Sequence, residues 1–305
     1  MTESAAPEIT DIVTTVTEHT PVPPRIVVGV DSSDNAARAA HWAAREAVER
    51  GLALHVLHAL ELPDALGELV EPAGYATAHR AAGAKLLAEL ADALREEHPT
   101  LSVSVEVSEL GAAESLVVLS GSAKLVVTGT RGHGGFAGLL LGSVSLKVAA
   151  HAHCPTVVVR GGELGEPVNE VVLGVEPGQA EAPIRFAFET ADKLGAKVSA
   201  VRVWWPHTGY GGYYVAEDFE DRQEDEQADI VDLLKAMREE YPDVPVSTTA
   251  ARGNPVPMLT GAALGSRLLV VGAHRHRGPL SVGVGYVIQG LLSHSATPVA
   301  VVPIM

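Results

Sequence analysis

The chain has little of several things, and each shortage excludes a class of function. It has one cysteine, Cys154, in 305 residues, so no internal disulfide can form, and no Cys/His metal spacing surrounds it. An intracellular, cytoplasmic home is therefore expected. A basic surplus is also missing: 22 Lys and Arg stand against 38 Asp and Glu, a formal net charge of −16. Proteins that coat nucleic acid or anionic lipid neutralise phosphates with Lys and Arg, so neither nucleic acid nor membrane is an expected partner. A small phosphorylated ligand stays open, because backbone N–H groups hold phosphate without any net positive charge. No stretch approaches the roughly 18 uninterrupted apolar residues of a membrane span, and the acidic, polar stretch from Met1 to Thr20 has no apolar run of signal-peptide type. Aromatic residues make up only 4% of the chain.

What is present is a globular composition, 47% hydrophobic and 20% charged, in a length that suits two domains of about 140–150 residues. Those domains are copies. Arg25-Ile-Val-Val-Gly-Val-Asp31 returns as Glu170-Val-Val-Leu-Gly-Val-Glu176, and Leu125-Val-Val-Thr-Gly129 as Leu268-Leu-Val-Val-Gly272. Cys154-Pro-Thr-Val-Val-Val159 returns as Thr297-Pro-Val-Ala-Val-Val302. The chain reads as a tandem of units over 25–160 and 168–305, behind a disordered acidic tail over 1–24 that carries four acids and no base.

Each unit alternates strand and helix patterns. In the first, Ile26–Val30 is a buried-strand run, with Ser32, Ser33 and Asp34 as N-cap candidates for an Ala-rich helix Ala36–Arg50 closed by Gly51. Leu54–Ala59 is the second strand, Ala76–His98 a helix stopped by Pro99, and Leu101–Val107 an alternating strand with one wetter face. Ala112–Gly121 and Ser143–Ala152 read as helices around the strand Leu125–Thr128, and Thr156–Val159 as the last strand. Five strands alternating with four helices imply an α/β fold, two tandem doubly wound five-stranded parallel sheets of Rossmann-like type. Ligands of such sheets bind beyond the C-terminal strand ends, at the switch point. The two units are expected to pack as a pseudo-dimer; whether Thr156–Val159 pairs with Val299–Pro303 across the units stays open.

The strongest local signal follows the fourth strand. Gly129, Gly132, Gly134, Gly135 and Gly138 let the backbone approach a ligand, and Gly142, Ser143 and Ser145 open a helix whose free N–H groups suit a phosphate. Two hydroxyls there can add hydrogen bonds. No acidic residue lies between Leu125 and Lys147, while Arg131 and Lys147 are basic. This is not a Walker loop, since no Gly-Lys-Ser/Thr follows. Nor is it the dinucleotide fingerprint, which belongs after the first strand.

The pattern Gly-x2-Gly-x9-Gly-Ser, with Asp31 ending the first strand and His-Ala-His-Cys-Pro-Thr-Val-Val-Val ending the unit, resembles the universal stress protein family. The tandem layout resembles its two-domain actinobacterial members, and the likeness covers the chain beyond residue 24. For the ATP-binding branch it implies an adenine-nucleotide alpha hydrolase-like fold, with ATP as ligand and Mg2+ carried by the phosphates. It places Gly29 and Asp31 near ribose and base, and Ala59 beside adenine. Gly129, Thr130, Arg131, Gly132, His133, Gly134, Gly135, Gly142, Ser143, Val144 and Ser145 would surround ribose and phosphates.

The second unit departs from the pattern. Its matching positions, which form a candidate second ATP site, are Gly174, Glu176, Val203, Gly272, Arg275, Arg277, Gly278, Gly285, Tyr286 and Val287. Arg275 replaces the second glycine, Tyr286 the first serine, Ile288 the second, and Glu176 stands for Asp31. Both hydroxyls are gone, and a Tyr ring is expected to crowd the helix mouth.

Elsewhere, Trp204–Phe219 holds six of the 13 aromatic residues and reads as a flap or partner surface. Glu217–Asp229 holds eight acids and one Arg, expected as the exposed start of a helix. His151 and His153 sit near a helix C-terminus, where His is favourable without a metal. No metal-holding or catalytic set accompanies the loop. A nucleotide-dependent stress-response regulator is thus expected ahead of a slow ATP hydrolase or phosphotransferase. A nucleotide-free dimerisation scaffold is the remaining alternative, and a homodimer is an expected partner state.

Overall fold

A computed structural model describes residues 23–60, 75–132, 141–160, 167–205, 218–274 and 284–304. Nearly all of the expected tail, most of the aromatic stretch, and His133, Gly134, Gly135, Arg275, Arg277 and Gly278 of the glycine loops lie outside the described residues.

The first half runs β1 (Arg25–Gly29), α1 (Asp34–Arg50), β2 (Ala53–Ala59), α2 (Tyr75–Glu97), β3 (Val103–Ser108), α3 (Ala112–Ser120), β4 (Leu125–Gly129), α4 (Ser143–His151) and β5 (Thr156–Val159). The second runs β6 (Val168–Gly174), α5 (Glu181–Leu194), β7 (Lys197–Trp204), α6 (Asp218–Glu240), β8 (Val246–Arg252), α7 (Pro255–Ala262), β9 (Ser266–His274), α8 (Tyr286–His294) and β10 (Val299–Ile304).

Local chemistry sets the boundaries. Ser33 is extended and its hydroxyl accepts the Ala36 N–H at 3.2 Å, which starts α1 at Asp34. Gly51 ends it at φ 64°, donating to the Ala47 and Val48 carbonyls. Between the caps, Ala36, Ala39, Ala40, Ala43, Ala44 and Ala47 are buried, and their small side chains let the helix lie close on the sheet. β3 starts at Val103, later than its apolar pattern suggests. Leu101 is still turning out of α2, its N–H bonded to the His98 carbonyl at 2.9 Å.

The strands form one ten-stranded sheet in the order β3-β2-β1-β4-β5-β10-β9-β6-β7-β8. Each half is parallel, with its order reversing between β1 and β4, and again between β6 and β9. The junction is the exception: β5 and β10 pair antiparallel, with Val157 opposite Ala300. Each half therefore covers the other's edge strand, which removes two exposed edges from the molecule. The join is reinforced on the α1/α5 side by the Arg50 guanidinium, 3.0 Å from Thr190 Oγ1 and over the Phe186 ring. One core cluster there runs through both halves, from Ile26 to Val302.

The acid-rich start of α6 is not uniformly solvated. Glu226 is buried and ion-paired to Arg202 of β7, itself buried. Glu226 lies one turn before Ile230 and two before Leu234, on the inward stripe. The equivalent place in the first half holds His58 packed on Gly83 of α2, so the two copies fill the same seam with different chemistry.

Candidate functional site

The candidate site lies where the pairing of β1 and β4 ends, after Val28 and Val127, on the side of the sheet from which the chain runs on to α4. Asp31 sits just beyond β1, and its Oδ1 accepts from the Ser33 N–H at 2.9 Å and the Ser33 hydroxyl at 2.5 Å. That turn pins the carboxylate while Ser33 also caps α1. On the other wall, a Cβ added to Gly132 would come 2.1 Å from Asp31 Oδ2. The second glycine of the motif therefore sits directly against the Asp31 carboxylate, which a side chain at this position would have to displace. The first is required by α1, since a Cβ on Gly129 would meet the Asn35 carbonyl oxygen at 2.9 Å.

The chain returns at Gly142, whose N–H donates to the Thr130 carbonyl at 2.7 Å. Gly142 is the N-cap of α4, and no side chain caps the helix or places an acid in its first turn. The first intrahelical bond runs from Leu146 N–H to the Gly142 carbonyl, so the N–H groups of Ser143, Val144 and Ser145 stand ahead of it at the positive end of the helix. Ser143 is exposed at this mouth. Ser145 is not: it is 4% exposed, and its hydroxyl donates to the Gly129 carbonyl at 2.6 Å. The expectation of two hydroxyls open to a ligand is corrected: Ser143 is exposed, and the Ser145 hydroxyl is taken by the strand end. Ser145 fastens α4 to the end of β4 instead.

Arg131 and Gly132 are both exposed on this wall, Thr130 is buried, and Gly29 packs against Leu116 of α3. Ala59 closes β2 and is nearly buried beside Ser108 of β3. Two features escaped the sequence reading. Ser33 ties the Asp31 turn to α1. Arg160, directly after β5, is held below the ordinary arginine range by burial and then by the nearby Arg131 charge. The signal for Arg160 was a basic residue where the second copy has Pro303. Cys154 lies buried, and burial pushes its thiol up to about 12.

The second copy is built differently. Gly272 packs against Pro183 and Ile304 side chains, where Gly129 meets backbone, and Gly174 against Val271 and Leu259. Glu176 is exposed, its N–H held by Gln179 Oε1 at 2.8 Å. Gly285 caps α8 without a side-chain bond. Tyr286 is 77% exposed, so the ring stands in solvent, contrary to the expected crowding of the mouth. Val203, Val287 and Ile288 pack on the apolar cluster beneath α7 and α8. Ile288 offers no counterpart to the bond from Ser145 to Gly129. Of the aromatic stretch, Trp204 is buried with its Nε1–H on Gln223, and Trp205 is 62% exposed. Among the described residues no group of His, Cys, Asp and Glu could hold a metal, and no helix is long and apolar enough to cross a membrane.

A family model described as the Universal stress protein family matches residues 24–160 and again residues 168–303. The chain is 32% identical over 287 residues to a universal stress protein of Mycolicibacterium smegmatis, covering 91% of this chain and 96% of that one. It is 30% identical over 294 residues to one of Mycobacterium tuberculosis, covering 90% and 96%. The crystal structure of a universal stress protein from Archaeoglobus fulgidus covers 92% of this chain and 98% of its own, with a TM-score of 0.70 at 17% identity, a likeness of fold.

Proposed function

Since the chain belongs to the universal stress protein family through both of its units, we propose that its first unit binds an adenine nucleotide, ATP with Mg2+ carried on the phosphates, and that the protein is a nucleotide-dependent regulator or sensor in a stress response. The observation that carries this reading is the uncapped, acid-free start of α4 beside Arg131, opened by glycines that bring backbone against backbone. Such a helix end suits a phosphate through its N–H groups and dipole. On this reading Asp31 and Ala59 face the ribose and base, the N–H groups from Gly142 to Ser145 and the Ser143 hydroxyl face the phosphates, and Ser145 positions the helix.

The second unit is left without nucleotide, because Tyr286 and Ile288 take away the hydroxyl and the fastening bond at that helix start. It serves as the scaffold that pairs with the first. Further homodimerisation, a protein partner at the aromatic stretch and a cytoplasmic setting belong to the same proposal. Native mass spectrometry of protein purified without added nucleotide tests it. One ATP per chain is expected, unchanged after incubation with Mg2+. Two per chain would restore the second site, release of ADP would make the protein a hydrolase, and an empty chain that takes up no added ATP would refute the nucleotide reading.

A further inference from the structure

β4 and β5 are parallel neighbours with Gly129 opposite Val159, so Arg131 and Arg160 leave the sheet at the same end. Along β5, Val157 and Val159 belong to the core on the α1 side and Val158 to the cluster beneath α4 and α8. Alternation then sends Arg160 to the α4/α8 face. There its guanidinium donates to the Ser293 carbonyl in the last turn of α8, a helix of the second unit. The antiparallel junction brings that helix end into reach, because the C-terminal end of β5 meets the start of β10, with Val158 opposite Val299. A helix C-terminus attracts a cation, so the second unit fixes where Arg160 stands.

The same boundary supports the glycine loop. Leu141, the residue before Gly142, packs on the cluster that contains Leu291, Leu292, Val299 and Val301 of the second unit. The mouth of α4 thus has one side built by its own unit and another resting on the neighbour. Arg131 and Arg160 thus follow the ends of neighbouring parallel strands, two guanidiniums on one side of a chain of net charge −16. A guanidinium carries five donors, more than the bond to the Ser293 carbonyl uses.

Resting on the nucleotide reading above, we propose that the second unit completes the first unit's phosphate site, with Arg160, tethered to α8, distinguishing nucleoside polyphosphates from monophosphates. Phosphates beyond the first bring the charge that a second guanidinium rewards, whereas the base, ribose and first phosphate are held without it. Pro303 at the matching position gives the second unit no such group.

Calorimetric titration of the full chain with ATP and with AMP tests this, with thermal melts to establish folding. Arg160→Gln should weaken ATP about tenfold, as loss of a charged hydrogen bond does, and AMP less than about twofold. Arg160→Lys keeps the charge without the planar fork and should lose about threefold of the ATP preference; it carries the test if the Gln variant does not fold. Arg267→Gln loosens a different inter-unit pair, to Glu49 at 3.3 Å, and should leave the ATP/AMP ratio unchanged. An unchanged ratio in the Arg160 variants, or the same change in Arg267→Gln, would overturn the inference and leave the nucleotide site standing. A wild-type chain that binds neither nucleotide would refute the site itself.

Discussion

Replacing Gly129 by alanine should cost stability as well as ligand, and the size follows from the packing. The added methyl comes 2.9 Å from the Asn35 carbonyl oxygen, 3.0 Å from its carbonyl carbon and 3.2 Å from its Cβ. Unstrained carbon contacts lie at about 3.5–4.0 Å, so β4 and α1 must part by about half an ångström. The Asn35 atoms cannot swing aside as a side-chain tip would. They sit in the first turn of α1, which Ser33 caps and ties to Asp31. Overpacking of this kind costs about 1–3 kcal/mol. Gly142→Ala is the comparison, since its Cβ would lie 3.3 Å from the Thr130 carbonyl oxygen at an ordinary φ of −82°. Its cost should stay below about 1 kcal/mol, while nucleotide binding falls because the methyl stands at the mouth of α4. Urea unfolding of both variants, read as midpoint shifts at a common slope, separates the two. A Gly129→Ala midpoint equal to wild type, or one above that of Gly142→Ala, would refute the close-approach reasoning.

Glu226→Ala should be the most damaging change on α6, by about 3–5 kcal/mol in urea unfolding, because it leaves Arg202 charged and buried. His55 is held below its ordinary 6.5 by burial and by Arg25, against the opposing pull of Glu106. The folded chain therefore binds that proton less readily than the unfolded one. Stability falls as pH drops from about 6.5 through the lowered folded value and levels off below it. His55→Gln should flatten the stability curve in that window, and an unchanged slope would count against the assignment. Cys154, buried with its thiol pushed up to about 12, should resist iodoacetamide at pH 8 in the folded chain and react fully in denaturant.

Much of this was legible in the sequence because it is local. The Ser33 cap, the Gly51 stop and the uncapped helix after Gly142 each depend on a few consecutive residues, and all lie where the pattern puts them. The β5–β10 pairing was not legible, because an edge strand's partner is set by distant surfaces and not by its own residues. Glu226 was misread for a related reason. Composition marks Glu217–Asp229 as solvated, and only its spacing from Ile230 and Leu234 points it inward. The sign that it needed a partner lay elsewhere, in Arg202 set among the apolar residues of β7. Within the candidate site, the sequence offers the glycines as a candidate ligand motif and not as seats for Asp31 and Asn35, contacts that exist only once the strands are side by side.

The antiparallel junction of β5 and β10 also separates two duties that a dimer of separate chains must keep together. Two free subunits sharing such an edge come apart on dilution, and each must keep both its pairing strand and its ligand loop. Here both strands belong to one chain, so the pairing does not depend on protein concentration. The second copy could therefore change Glu176, Tyr286 and Ile288 while Val299, Ala300 and Val301 stayed opposite β5. On the proposed reading of one nucleotide site per chain, titration should be hyperbolic and superimposable at any protein concentration. A dissociable pair of like sites would change its curve as it was diluted.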